Sequence, residues 1–121
     1  MNEQVLVIED DEDLSYIFAE AFRAGGLQPE IIRDGTLAME RLSQVHPKVI
    51  LLDLHLPHVA GTDILARIRE MESLKDVRVV VTTADARLAE QTERQADVVL
   101  IKPISFYLLR DLALRLSSIG D

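Results

Sequence analysis

The sequence predicts an α/β fold, a doubly wound five-stranded parallel sheet built from five successive strand–helix units, (βα)5. Three observations carry this. Short, continuous apolar runs recur along the 121 residues. Segments with apolar residues at helical spacing separate them, so each strand is followed by an element that can cross back over the sheet. The runs are apolar throughout rather than alternating, which is how strands covered on both faces of a parallel sheet read.

The elements follow in order. Val5–Ile8, "VLVI", is the first strand. Leu14, Ile17, Phe18, Ala21 and Phe22 fall at i, i+3, i+4, i+7 and i+8 and predict an amphipathic helix, which Gly25 and Gly26 stop. "PEII", Pro29 to Ile32, is a short strand, and its proline points to an edge position. Asp34-Gly35 turns into a helix with Ala38, Met39, Leu42 and Val45 on one face, closed by His46-Pro47. Val49 to Leu52 is the third strand. A helix after Gly61 carries Ile64, Leu65, Ile68 and Met71. Val77 to Thr82 is a β-branched strand. Asp85 to Gln95 is a polar helix with little more than Leu88, Ala89 and Ala96 to bury. Val98 to Ile101 is the fifth strand. Ser105 to Ser118 is the last helix, with a core stripe of Leu109, Leu112, Leu116 and Ile119; Tyr107 and Leu114 lie near its opposite face. No linker, repeat or low-complexity tract interrupts the series, so residues 1–121 are expected to form a single domain.

Composition narrows the function. Hydrophobic residues make up 48% and charged residues 28%, and there is no cysteine. That excludes a disulfide framework and thiolate chemistry, and fits a cytoplasmic protein. The net charge is −8; such a surface repels nucleic acid and anionic membrane, so direct nucleic-acid or membrane binding is not expected. No apolar run approaches a membrane span, and "MNEQ" has no basic start of a signal peptide.

In open α/β sheets, ligands sit beyond the carboxyl ends of the strands. The first strand runs into "EDDED", Glu9 to Asp13. The third ends at Asp53, the fourth at Thr82-Thr83-Ala84 and the fifth at Lys102-Pro103. Glu9, Asp10 and Asp53 would converge there with a hydroxyl and an ammonium. A carboxylate closing so apolar a run risks a desolvation cost that no fold needs. Clustered carboxylates also repel. A hard cation resolves the conflict, since Mg²⁺ takes carboxylates, waters and phosphate oxygens. A carboxylate can act as a nucleophile and form an acyl phosphate, while Mg²⁺ and an ammonium stabilise the transferring phosphoryl group. Asp53 is therefore read as a phosphorylation site, and Glu9, Asp10, Thr83 and Lys102 as its company.

With those residues placed, the sequence resembles the receiver domains of response regulators in two-component, phosphorelay signalling. The matching stretches are "VLVIEDDED", "VILLDLHLPHVAG", "VVVTTADA" and "LIKPIS", in the family's order and spacing. The resemblance implies the flavodoxin-like receiver fold with strand order 2-1-3-4-5. It implies that Asp53 accepts a phosphoryl group from a histidine kinase or phosphotransfer protein, in a Mg²⁺-dependent reaction in which Mn²⁺ can substitute. Asp10 matches the direct metal ligand, Glu9 its partner, and the backbone carbonyl of His55 a further ligand. Thr83 matches the switch hydroxyl, Ala84 the small residue beside it, and Lys102 the lysine that pairs with phosphoryl oxygens. Pro103 follows where the family usually has a cis peptide bond, and Gly61 starts the third helix. The chain is then a self-phosphorylating and self-dephosphorylating switch rather than a turnover enzyme. It would control a partner or output domain through the fourth helix, fifth strand and fifth helix. On that face Tyr107 and Leu114 could support a homodimer. The imidazole of His55 is expected in solvent, and His46 and His58 in loops; Thr82 is read as packing.

Two departures stand out. Many receivers have an aromatic residue three positions before the lysine, where this chain has Val99, so the readout cannot be burial of a ring there. "QAD", Gln95 to Asp97, stands where a turn glycine is common. Rival readings fare worse. An aspartyl-nucleophile phosphatase needs an acid two residues on, where His55 stands. A nucleotide or flavin module needs a glycine-rich phosphate loop after the first strand, where this chain has "EDDED". A receiver-like scaffold without phosphorylation has no use for crowded carboxylates. In the family, the positions two after the acceptor and two after the switch residue tune acyl-phosphate lifetime; here they are His55 and Asp85. Substituting either is expected to change the dephosphorylation rate more than the phosphorylation rate. Time courses with a small-molecule phosphodonor check this, and equal effects on both rates would refute it.

Overall fold

Five strands and five helices alternate through the computed structural model, which describes residues 4–117. They are β1 (Val5–Ile8), α1 (Glu12–Ala24), β2 (Pro29–Ile32), α2 (Gly35–Arg41), β3 (Val49–Asp53), α3 (Gly61–Glu70), β4 (Arg78–Thr83), α4 (Ala86–Thr92), β5 (Val98–Ile101) and α5 (Phe106–Ser117). The sheet is parallel throughout, in the order β2-β1-β3-β4-β5. Pro29 thus lies on an edge strand, where a missing N–H is tolerated.

Alternation along the strands makes two cores. Leu6, Ile8, Ile50, Leu52, Val79 and Val81 pack under Ala38 of α2, Leu42 just after it, and Ile64, Leu65 and Ile68 of α3. Val5, Val7, Val49, Leu51 and Val80 face Phe18 and Phe22 of α1 and Leu109, Ala113 and Leu116 of α5. Each Val, Leu, Ile or Phe side chain among them contributes roughly 1.5–3 kcal/mol when fully buried. Aspartates start three of the helices. Asp11 accepts the Leu14 N–H at 2.8 Å, Asp34 the Leu37 N–H at 3.0 Å, and Asp85 the Arg87 and Leu88 N–H groups at 2.9 and 3.3 Å. A cap of this kind is worth about 1 kcal/mol.

The structure differs from the sequence reading in detail. Ile17 is 41% exposed, and Ser15 and Ala19 are buried in its stead; the buried stripe of α1 centres on Ser15, Phe18 and Phe22, leaving Ile17 on its flank. In α5 the stripe runs through Leu109, Ala113 and Leu116, with Leu112 half-buried. A Cβ on Gly25 would lie 2.5 Å from the Ala113 Cβ, so α1 and α5 meet where only small residues fit. Ile119 and Ser118 fall outside the described residues. The second helix ends at Arg41 rather than at His46-Pro47, and Gln44 N–H donates to the Arg41 carbonyl at 2.9 Å. That is the tightened last turn common at helix ends, and Val45 still reaches the core. β4 begins at Arg78 and runs on to Thr83, α4 is confined to Ala86–Thr92, and a 3₁₀ turn at Glu72–Leu74 follows α3. Among the described residues no helix is long and apolar enough to cross a membrane.

Gly61 sits where α3 begins, directly against the end of β3. A Cβ there would lie 2.4 Å from Leu54 Cα and 2.6 Å from the Asp53 carbonyl oxygen. Both obstacles are backbone, so they cannot swing aside. Gly61→Ala is therefore expected to destabilise the protein by about 1–3 kcal/mol or more through overpacking. Urea denaturation checks this, and an unchanged midpoint would refute it.

Candidate functional site

The carboxyl ends of β1, β3 and β4 and the loop after β5 place the site. Ile8 pairs with Leu52 and Asp53 with Thr82 in the sheet register, so Glu9, one residue past β1, stands beside Asp53. One carboxylate oxygen each from Glu9, Asp10 and Asp53 lies within 4.8 Å of the others. Glu9 is 0% and Asp53 1% exposed, while Asp10 faces solvent. Lys102 arrives from 93 residues away and donates from Nζ to Glu9 Oε1 at 2.9 Å. The same ammonium lies 3.5 Å from Asp53 Oδ2. The Lys102-Pro103 peptide is cis.

One ammonium cannot neutralise three carboxylates. Burial pushes the Glu9 carboxyl up to about 7, opposed by its hydrogen bond from Lys102 and reinforced by the charge of Asp53. Burial alone would lower the pKa of Lys102, but the hydrogen bond to Glu9 and the charge of Asp53 outweigh it and hold the ammonium above its ordinary value. Hard oxygen donors, crowded on one side and open to solvent at Asp10, fit a divalent cation such as Mg²⁺ or Mn²⁺. Thr82 is buried, and its hydroxyl has no hydrogen-bond partner; leaving such a group unpaired costs about 1–3 kcal/mol.

Thr83, the last residue of β4, is fully buried. Its Oγ1 accepts the Asp85 N–H at 3.0 Å and lies 3.0 Å from His55 Nε2. His55 N–H donates to Asp53 Oδ1 at 3.2 Å. His55 is exposed, as expected; what the sequence did not anticipate is that one of its ring nitrogens is also bound to Thr83. No local pattern signals a contact between residues 28 apart. Also unanticipated, His58 in the loop after β3 has φ 72° and lies with Nδ1 2.5 Å from Asp34 Oδ1. That hydrogen bond, helped by the Leu37 N–H, holds the Asp34 carboxyl below the usual range.

The remaining sequence candidates lie around this centre. Ala84 and Asp85 are exposed at the start of α4. Val99 is half-buried against the α2–α3 core. Pro103 is exposed. Tyr107 and Leu114 lie away from the carboxylates, 65% and 51% exposed, with Ile101 and Leu108 also exposed. Arg110 covers the Tyr107 ring at 5.1 Å.

The raised Glu9 pKa would make cation binding at these carboxylates pH-dependent, because protonating Glu9 removes negative charge that the cation needs. Mg²⁺ affinity is expected to fall as pH drops from about 8 to about 6, with proton release on binding at the lower pH; titration calorimetry in two buffers reads both. Affinity flat across that range would refute it. In the metal-free protein the sign is set by the same shift. Glu9 favours the fold at low pH, and that contribution is lost as pH rises from its ordinary 4.5 through about 7.

Comparison with known proteins identifies the family and the fold. Residues 5–113 match the sequence profile of the response regulator receiver domain. The polar-differentiation response regulator DivK of Brucella ovis is 30% identical over 108 residues, covering 87% of this chain and 88% of its own. Among solved structures, the Mn²⁺-bound form of the response regulator Rcp1 superposes with a TM-score of 0.77 at 27% identity, over 97% of this chain and 93% of its own. The response regulator TrrA from Thermotoga maritima, in complex with Mg²⁺ and BeF, shares the fold with a TM-score of 0.82 at 20% identity, over 94% of this chain and 98% of its own. With a profile match over nearly the whole chain and a strand order of 2-1-3-4-5, this protein belongs to the response regulator receiver domain family of two-component signalling.

Proposed function

We propose that this chain, read as one receiver domain over residues 1–121, is a phospho-accepting switch. A phosphoryl group passes from the phosphohistidine of a histidine kinase or phosphotransfer protein to Asp53. The carrying observation is the convergence of the Glu9, Asp10 and Asp53 carboxylates with the Lys102 ammonium at the strand ends. Receiver domains are signalling switches rather than turnover enzymes, and interact with such donors in general.

Asp53 supplies the nucleophile. One carboxylate oxygen forms the new O–P bond as the donor's N–P bond breaks, and the bonding pair leaves on the imidazole nitrogen. Lys102 is placed to pair with the phosphoryl oxygens. Asp10, Asp53, the His55 carbonyl and Glu9, through water, would hold Mg²⁺, which when bound supplies positive charge to the phosphoryl oxygens. The Thr83 hydroxyl registers the arrival of the phosphoryl group, and Ala84 leaves room for it. The change is read on the face of α4, β5 and α5, which biases a two-state equilibrium toward a cytoplasmic partner, an output domain or a second copy. Tyr107 and Leu114, both exposed on α5, are read as part of that face, and Val99 does not provide the usual aromatic. A scaffold that binds without phosphorylation is favoured only by Val99.

Intact mass after incubation with acetyl phosphate and Mg²⁺ tests the reading. One added phosphoryl group is expected on the protein, and none on Asp53→Asn or in chelator. No addition to a folded protein by any small donor would overturn the reading in favour of the scaffold.

A further inference from the structure

Thr83 is fully buried, yet the residue that reaches its hydroxyl is a solvent-facing histidine. His55 and Asp85 lie in different loops, one after β3 and one after β4. They hold Thr83 Oγ1 from two directions, the imidazole Nε2 at 3.0 Å and the Asp85 N–H at 3.0 Å. His55 also donates its own backbone N–H to Asp53 Oδ1 at 3.2 Å. A single residue therefore touches both the carboxylate and the hydroxyl, its main chain on one and its side chain on the other.

A hydroxyl has one proton and two lone pairs. The Asp85 N–H takes a lone pair. If Thr83 then donates its proton to Nε2, the three groups form a chain in which each donor meets an acceptor, and such chains strengthen one another. The Nδ1–H of the neutral ring is left on the exposed side of the residue. In this arrangement the only proton of Thr83 is committed to His55 and is not available to a phosphoryl oxygen.

We propose that His55 is a positioning residue that latches the unphosphorylated switch: it accepts the Thr83 hydroxyl proton at Nε2 and competes for it with the phosphoryl group on Asp53. The inference rests on the reading of Asp53 as phospho-acceptor and Thr83 as switch hydroxyl. The Thr83 bond to His55 must break before a bond to the phosphoryl group forms. The loop that carries the acceptor thereby resists its own activation.

The test uses the full chain with Mg²⁺ and beryllofluoride, a phosphoryl mimic. A typical net hydrogen bond corresponds to a factor of roughly three to ten in an equilibrium constant. His55→Ala is expected to bind beryllofluoride tighter by that factor. His55→Gln, whose side-chain oxygen can take the place of Nε2, should stay near the parent protein. In a Thr83→Ala background, His55→Ala should have no effect. The ¹⁵N resonance of His55 Nε2 in the ligand-free protein should show a hydrogen-bonded acceptor, and should lose that signature in Thr83→Ala and on addition of beryllofluoride. A His55→Ala affinity that is unchanged or weaker, or an effect that persists without Thr83, would overturn the latch alone. Failure of the parent protein to bind beryllofluoride would overturn the phospho-acceptor reading and the latch with it.

Discussion

Two carboxylates buried at adjacent strand ends beside one ammonium impose the constraint on which this structure depends. Glu9 and Asp53 are almost wholly shielded from water, where an isolated charge is very costly. Lys102 crosses 93 positions of sequence to reach them. Breaking such a buried set by removing one partner is strongly destabilising, whereas replacing all of it by apolar groups of similar volume is often neutral or stabilising. The fold does not need acids at these positions. Acids there leave an unsatisfied demand for positive charge, which a cation can meet.

The rest of the sheet serves to hold that conflict in place. β1 and β3 are buried on both faces, and their parallel register brings Ile8 level with Leu52. The acids then follow at the same height, where the chain leaves the sheet. Gly61 packs against the backbone of Asp53 and Leu54, which holds the start of α3 close to Asp53. Ala113 and Gly25 let α1 and α5 approach closely.

Around this rigid base the loops differ in how firmly they are tied. The loop after β3 is fastened at His55 to Thr83 and at His58 to Asp34. The loop after β4 leads into α4, a helix of 7 residues that buries only Ala89 and Thr92. An element with so little apolar area is drawn from the low-stability end of a structure, where switching motions are found. Thr83 lies at the junction of the two loops, and its hydroxyl accepts the N–H of Asp85, the residue that caps α4. Ile101 of β5 and Tyr107, Leu108 and Leu114 of α5 are exposed as well.

The order of the elements, the two-sided burial of the strands, the edge position of Pro29 and the gathering of Glu9, Asp10, Asp53, Thr83 and Lys102 at one rim were all legible in the amino-acid sequence. Each follows from local information: an apolar period that announces its element, and a polar residue that stands where a strand must end. The burial of Ala113 rather than Leu112, the exposure of Ile17, and the contacts of His55 with Thr83 and His58 with Asp34 belonged to the tertiary structure alone. Helical spacing leaves the centre of a stripe uncertain by a residue until the neighbouring helix is in place. Loop side chains have no period at all, and residues 24 or 28 positions apart become neighbours only when the strands between them have set the distance between their loops.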